Sequence, residues 1–84
     1  MNISYSPRFI RSYKKLTPDI KNAVKKKEII FRANLFDQRL KAHKLNGDFK
    51  DYWSFSVNYE IRIIFRIEND QNVRFELIGD HDIY

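Results

Sequence analysis

Residues 60–67 read Glu-Ile-Arg-Ile-Ile-Phe-Arg-Ile, and an alternation this regular leaves few choices of structure. At the period of two that a strand imposes, Ile61, Ile63, Phe65 and Ile67 share one face, while Arg62, Ile64 and Arg66 share the other. The segment is expected to be a central strand with one apolar face and a second face carrying two guanidinium groups around a single isoleucine. The plainest account of Arg62 and Arg66 is a solvated side of a half-buried sheet. Their neighbours argue for more. His43, Lys44 and Lys50 precede the strand, and His81 and Tyr84 follow it. Together they suit a cationic surface able to move a proton, as RNA chemistry requires.

The rest of the chain supplies what such a strand must pack against. Residues 2–6 alternate, with Ile3 and Tyr5 on one side, and predict a short first strand. Ser6-Pro7 and Thr17-Pro18-Asp19 are two successive helix starts, each a capping hydroxyl followed by proline at the first helical position. The first helix is expected to run to about Leu16, burying Phe9, Ile10, Tyr13 and Leu16. The second is expected to end near residues 32–34, with Ile20, Ala23, Val24, Ile30 and Phe31 inward. Residues 35–51 show no long period and turn at Asn46-Gly47. Strands at 52–57, from 60 or 61 to 67, and at 72–79 follow, joined by short polar turns. Trp53, Phe55 and Val57, and then Val73, Phe75 and Leu77, continue the apolar layer. The expected fold is a single α+β domain of order βααβββ, an antiparallel sheet with two N-terminal helices packed on one face.

Composition narrows the function classes. A chain of 84 residues is near the size at which one core is only marginally stable, and seven Phe, five Tyr and one Trp compensate with large buried areas. The absence of Cys removes disulfides, thiolate zinc sites and a Cys nucleophile. Two histidines without a carboxylate cluster give no metal-ligand spacing, so neither a metal nor another cofactor is expected. No apolar run approaches the roughly 20 residues that span a bilayer, and no signal-peptide core is evident, so a cytoplasmic protein without a membrane partner is expected.

The net charge of +5 is unevenly spread. Residues 8–32 hold nine Lys/Arg against Asp19 and Glu28, which leaves +7, whereas residues 51–84 hold three Arg against seven acids, which leaves −4. A polyanion or an acidic protein fits such a distribution. Within the basic half, Lys25-Lys26-Lys27 cannot all address one ligand, because consecutive residues lie about 100° apart around a helix. A solvated face with some phosphate contact is the expectation there. No helix-turn-helix pattern appears, so free DNA binding is not expected.

Three segments carry a family resemblance. Residues 42–55 read Ala-His-Lys-Leu-Asn-Gly-Asp-Phe-Lys-Asp-Tyr-Trp-Ser-Phe; residues 59–66 read Tyr-Glu-Ile-Arg-Ile-Ile-Phe-Arg; residues 78–84 read Ile-Gly-Asp-His-Asp-Ile-Tyr. In that order they resemble the RelE/ParE superfamily of bacterial toxin–antitoxin toxins, particularly its RelE-like messenger-RNA endonucleases. The N-terminal strand and helical pair extend the resemblance over essentially the whole chain.

The resemblance implies a metal-independent endoribonuclease that cuts mRNA in the ribosomal A site and so stops translation. It also implies a cognate antitoxin, with operator DNA reached only through the toxin–antitoxin complex. In that chemistry the ribose 2′-OH attacks the adjacent phosphorus, which calls for a base, an acid and cations around the phosphorane. The resemblance assigns His81 and His43 to proton transfer, Arg62 to the scissile phosphate, and Tyr84 to base stacking or proton transfer. Glu60 is a possible proton acceptor, and Lys44, Lys50 and Arg66 are phosphate-binding candidates. Two departures stand out: Ser56 and Glu60 occupy positions where some histidine-rich members carry histidine and aspartate, and the chain reaches Tyr84 two residues after Asp82. The alternatives are a non-catalytic ParE-like toxin that poisons gyrase and a degenerate paralogue that only binds antitoxin.

Overall fold

Ser6 joins the helical layer to the sheet. Its hydroxyl accepts the Phe9 N–H at 2.9 Å, which caps the first helix, and donates to the Glu76 carbonyl at 2.6 Å on the last strand. In the computed structural model, which describes residues 1–80, β1 (Asn2–Tyr5) leads through Ser6 into α1 (Pro7–Lys14). Thr17 then caps α2 (Pro18–Ala33) by accepting the Ile20 N–H. Both proline starts form as expected, since the missing N–H is one that a helix leaves unpaired anyway. α1 is shorter than its apolar pattern suggested. Phe9 and Tyr13, one turn apart and stacked at 6.1 Å, take the inner stripe. Ile10, about 100° further round, remains 42% exposed rather than buried.

After α2 come a 3-10 turn (Gln38–Leu40), β2 (His43–Lys44), a second 3-10 turn (Gly47–Phe49), β3 (Trp53–Ser56), β4 (Arg62–Ile67) and β5 (Asn72–Gly79). The sheet order is β1-β5-β4-β3-β2. The α+β class and the order βααβββ hold, with two refinements. β2 is an added strand, too short to leave a periodic signal. β1 lies parallel to β5, because two helices carry the chain between β1 and the rest of the sheet. Gly47 at φ +66 supplies the left-handed turn after Asn46.

A bulge resets the last strand. Ile64 pairs with Leu77 and Phe65 with Phe75, so Glu76 is the extra residue in β5. Val73 and Phe75 enter the core as expected, but Ile78, not Leu77, is the next core residue, and Leu77 turns to the opposite face beside Ile64. The core itself is aromatic. The fully buried Phe31 of α2 lies with its ring 5.1 Å from Phe55, 5.0 Å from Phe65 and 5.2 Å from Phe75. With both helices against this layer, the opposite face of the sheet is left for Arg62 and its neighbours.

Candidate active site

Register places His43, Arg62 and Arg66 on that outer face. Directly opposed residues of antiparallel strands share a face. His43 opposes Ser54, which opposes Ile64, which opposes Leu77, and this makes one row across four strands. The next row along is Ser56, Arg62 and Gly79. His43 and Arg62 therefore look out from the same side, two strands and one row apart, roughly 12 Å between Cα atoms at ordinary sheet spacing. Lys44 opposes Trp53, whose row continues to Phe65, and so points to the helix side instead.

Arg62 is half-buried, and its Nη1 donates to the Ser56 hydroxyl at 3.1 Å. That contact orients the guanidinium beside the β3–β4 turn. The turn is itself well tied: Asn58 Oδ1 accepts the N–H groups of Glu60 at 2.8 Å and Ile61 at 2.7 Å, and the Val57 N–H donates to the Ile61 carbonyl at 2.8 Å. Arg62 lines a cavity of about 310 Å³ together with Lys27, Lys41, Ser56, Asn58 and Tyr59. Glu60 is exposed on the turn and is not part of that lining.

His43 is exposed, with Nδ1 3.3 Å from the Lys41 carbonyl oxygen. A carbonyl only accepts, so this contact favours a proton on Nδ1 and leaves Nε2 as the basic nitrogen. Arg66 shares the outer face with Arg62 but stands about 13 Å further along β4, opposite Arg74. Arg74 turns to Glu76, with Nε 2.9 Å from the carboxylate. Lys50 is exposed at the end of the second 3-10 turn, away from the Arg62 cavity. His81 and Tyr84 lie outside the described residues.

The outer face also carries a groove of about 550 Å³ between the start of α1 and the segment ahead of β3. Arg8, Arg11, Tyr52 and Arg74 line it above a floor of Ile64 and Leu77. Sequence reasoning passed over two residues of the Arg62 cavity. Tyr59 is 85% exposed at its mouth, and Lys41 reaches it from the turn before β2. An aromatic in a polar hairpin turn, with no core to join, was the available signal for Tyr59.

Arg39 lines the same cavity but is already engaged. Its Nη2 lies 2.9 Å and its Nε 3.0 Å from the two carboxylate oxygens of Asp37. Side-chain and backbone hydrogen bonds from Arg39 hold the Asp37 carboxyl down at about 2. Among the described residues no His, Asp and Glu cluster is placed to hold a metal ion, and no helix is long and apolar enough to cross a membrane. Chemically, the site offers an oriented guanidinium with a basic imidazole nitrogen on the same face. That combination suits a phosphodiester.

The family model described as bacterial toxin of type II toxin–antitoxin system, YafQ, matches residues 1–83. YafQ from E. coli is similar in structure, at 23% identity and a TM-score of 0.76, with 95% of this chain and 92% of that chain covered. The YoeB/ParE toxin from Agrobacterium tumefaciens is 16% identical at a TM-score of 0.82, covering 96% and 99%. YoeB in the heterotetrameric YoeB–YefM toxin–antitoxin complex from Staphylococcus aureus is 20% identical at a TM-score of 0.79, covering 96% and 97%. No curated protein sequence matches this chain. With the fold shared and the model matched over residues 1–83, the chain belongs to the YafQ family of type II toxin–antitoxin toxins.

Proposed function

We propose that this toxin is a ribosome-dependent mRNA endoribonuclease held in check by a cognate antitoxin. The observation that carries the reading is the oriented Arg62 guanidinium, half-buried against Ser56 on the one sheet face that also presents His43. A guanidinium held this way is matched to the two non-bridging oxygens of a phosphodiester. Relatives recorded as toxin–antitoxin complexes, DinJ–YafQ from E. coli and YoeB–YefM from S. aureus, support the antitoxin.

In the proposed reaction a base removes the 2′-OH proton, and that oxygen attacks the adjacent phosphorus. The 5′-oxygen of the next nucleotide leaves and takes up a proton from the acid. The products are a 2′,3′-cyclic phosphate and a 5′-hydroxyl. Arg62 neutralises charge gathering on the phosphorane. His43, with Nε2 unprotonated, fits the base, and His81 fits the acid. Tyr84 would stack on a base of the A-site codon. Glu60, exposed on the turn two residues before Arg62, is a second candidate proton acceptor. Lys50 and Arg66 would contact flanking phosphates, and Lys44, on the helix side, would add only to the surrounding field.

Cleavage of ribosome-bound mRNA by the purified chain, with EDTA present and the ends mapped, tests the proposal. Cuts within the A-site codon that need ribosomes and disappear in Arg62→Ala are expected. A folded, antitoxin-free protein that leaves mRNA intact would overturn the reading and direct attention to gyrase supercoiling.

A further inference from the structure

The cavity beside Arg62 has a second wall that the reaction above does not use. Lys27 reaches it from the middle of α2 and Lys41 from the turn after the first 3-10 helix. The three-lysine run divides here. Lys25 lines an apolar groove between α1 and α2, whereas Lys27 faces the cavity.

Two features distinguish this wall from an ordinary solvated surface. Lys27 is half-buried, and its Nζ donates to the Arg39 carbonyl at 3.3 Å, so the ammonium is held at the cavity with two further N–H groups to give. Lys41 adopts φ 53, ψ 42, a left-handed conformation that Gly or Asn would accept more easily than a residue with a long side chain. From that backbone position the Lys41 side chain lines the cavity. Arg39 is neutralised by Asp37, and among the described residues no carboxylate lines the cavity. Among the described residues, Lys27 and Lys41 therefore supply the ammonium charge on this wall.

We propose that Lys27 and Lys41 form a subsite for a second phosphodiester of single-stranded RNA, adjacent to the phosphate held by Arg62. Tyr59, exposed at the mouth, offers a ring face to a base of the same strand. This inference rests on the RNA-cleaving function proposed above. An acidic segment of an antitoxin would also meet these lysines favourably, but continuity with Arg62 and the free ring of Tyr59 favour a nucleic acid.

The test is binding of a short 2′-O-methylated single-stranded RNA, which cannot be cut by 2′-OH attack, followed by fluorescence anisotropy over a series of salt concentrations. Lys27→Gln keeps an amide donor for the Arg39 carbonyl and removes the charge. Lys41→Gly relieves the left-handed backbone and removes the charge. Each is expected to weaken binding several-fold and to reduce the slope of log affinity against log salt by about 0.7, the share of one single-strand phosphate contact. Lys27→Arg should restore the slope, and Lys26→Ala should leave it unchanged. Unaltered slopes in both charge-removing variants, or a loss confined to antitoxin binding, would overturn the subsite while leaving mRNA cleavage standing. A wild-type chain that neither binds this RNA nor cuts mRNA would overturn the subsite together with the function on which it rests.

Discussion

Ser56 and Arg62 oppose each other across β3 and β4, and the arginine Nη1 donates to the serine hydroxyl at 3.1 Å. A serine hydroxyl does not exchange protons near neutrality, but it can aim a guanidinium. Arg62→Ala is expected to abolish cleavage of ribosome-bound mRNA, and Arg62→Lys to recover little, because an ammonium lacks the planar fork. Ser56→Ala should cost only about 1 kcal/mol of stability and reduce cleavage partially. Equal losses in Ser56→Ala and Arg62→Ala would mean that the hydroxyl itself takes part in the chemistry.

The proton-transfer assignment predicts a different pattern for the histidines. His81→Ala should eliminate cleavage while the protein still binds its antitoxin. His43→Ala should slow cleavage, since the 2′-OH then loses its proton acceptor. Cleavage rates of each variant, beside antitoxin titrations by calorimetry, separate these outcomes. A His81→Ala protein that cuts at the wild-type rate would remove this residue from the site.

How far these sites could be read from sequence depends on which physical signal each residue leaves. The β4 alternation placed Arg62 opposite the core because a strand's period is fixed, and the two capped proline starts placed both helices for equally local reasons. Leu77 was misplaced because the bulge at Glu76 is a property of the β4–β5 pairing, which the local pattern does not encode. Lys44 sits beside His43 in sequence yet faces the other side, because two adjacent strand residues always diverge. Lys27, Lys41 and Tyr59 come from three separate segments, and only the folded chain brings them to one cavity.

The core predicts a graded response to truncation. Phe31 is fully buried with its ring against three other phenylalanines, so Phe31→Ala should cost about 3–5 kcal/mol and leave little folded protein at ambient temperature. Ile10→Ala, at a position 42% exposed, should stay within roughly 0.5 kcal/mol of wild type. Urea midpoints provide the measurement. Comparable midpoints for the two variants would contradict the inward stripe of α1 and α2 described above.

Alkaline pH should reveal the tie between β1 and α2. The Tyr5 hydroxyl donates to the Glu28 carboxylate, and burial, followed by that hydrogen bond and the carboxylate charge, pushes the phenol up to about 12 from an ordinary 10. The folded protein thus holds this proton more tightly than the unfolded chain does. The resulting stability is complete below pH 10 and is lost as pH rises from 10 through 12. Tyr5→Phe keeps the ring packing against Phe9 and Phe75 but has no proton to lose. The wild-type urea midpoint should therefore fall more steeply across this window than that of Tyr5→Phe, with the two curves converging at the alkaline end. Parallel curves would show that the Tyr5 phenol ionises alike in the folded and unfolded chains, and that its contact with Glu28 does not hold β1 to α2.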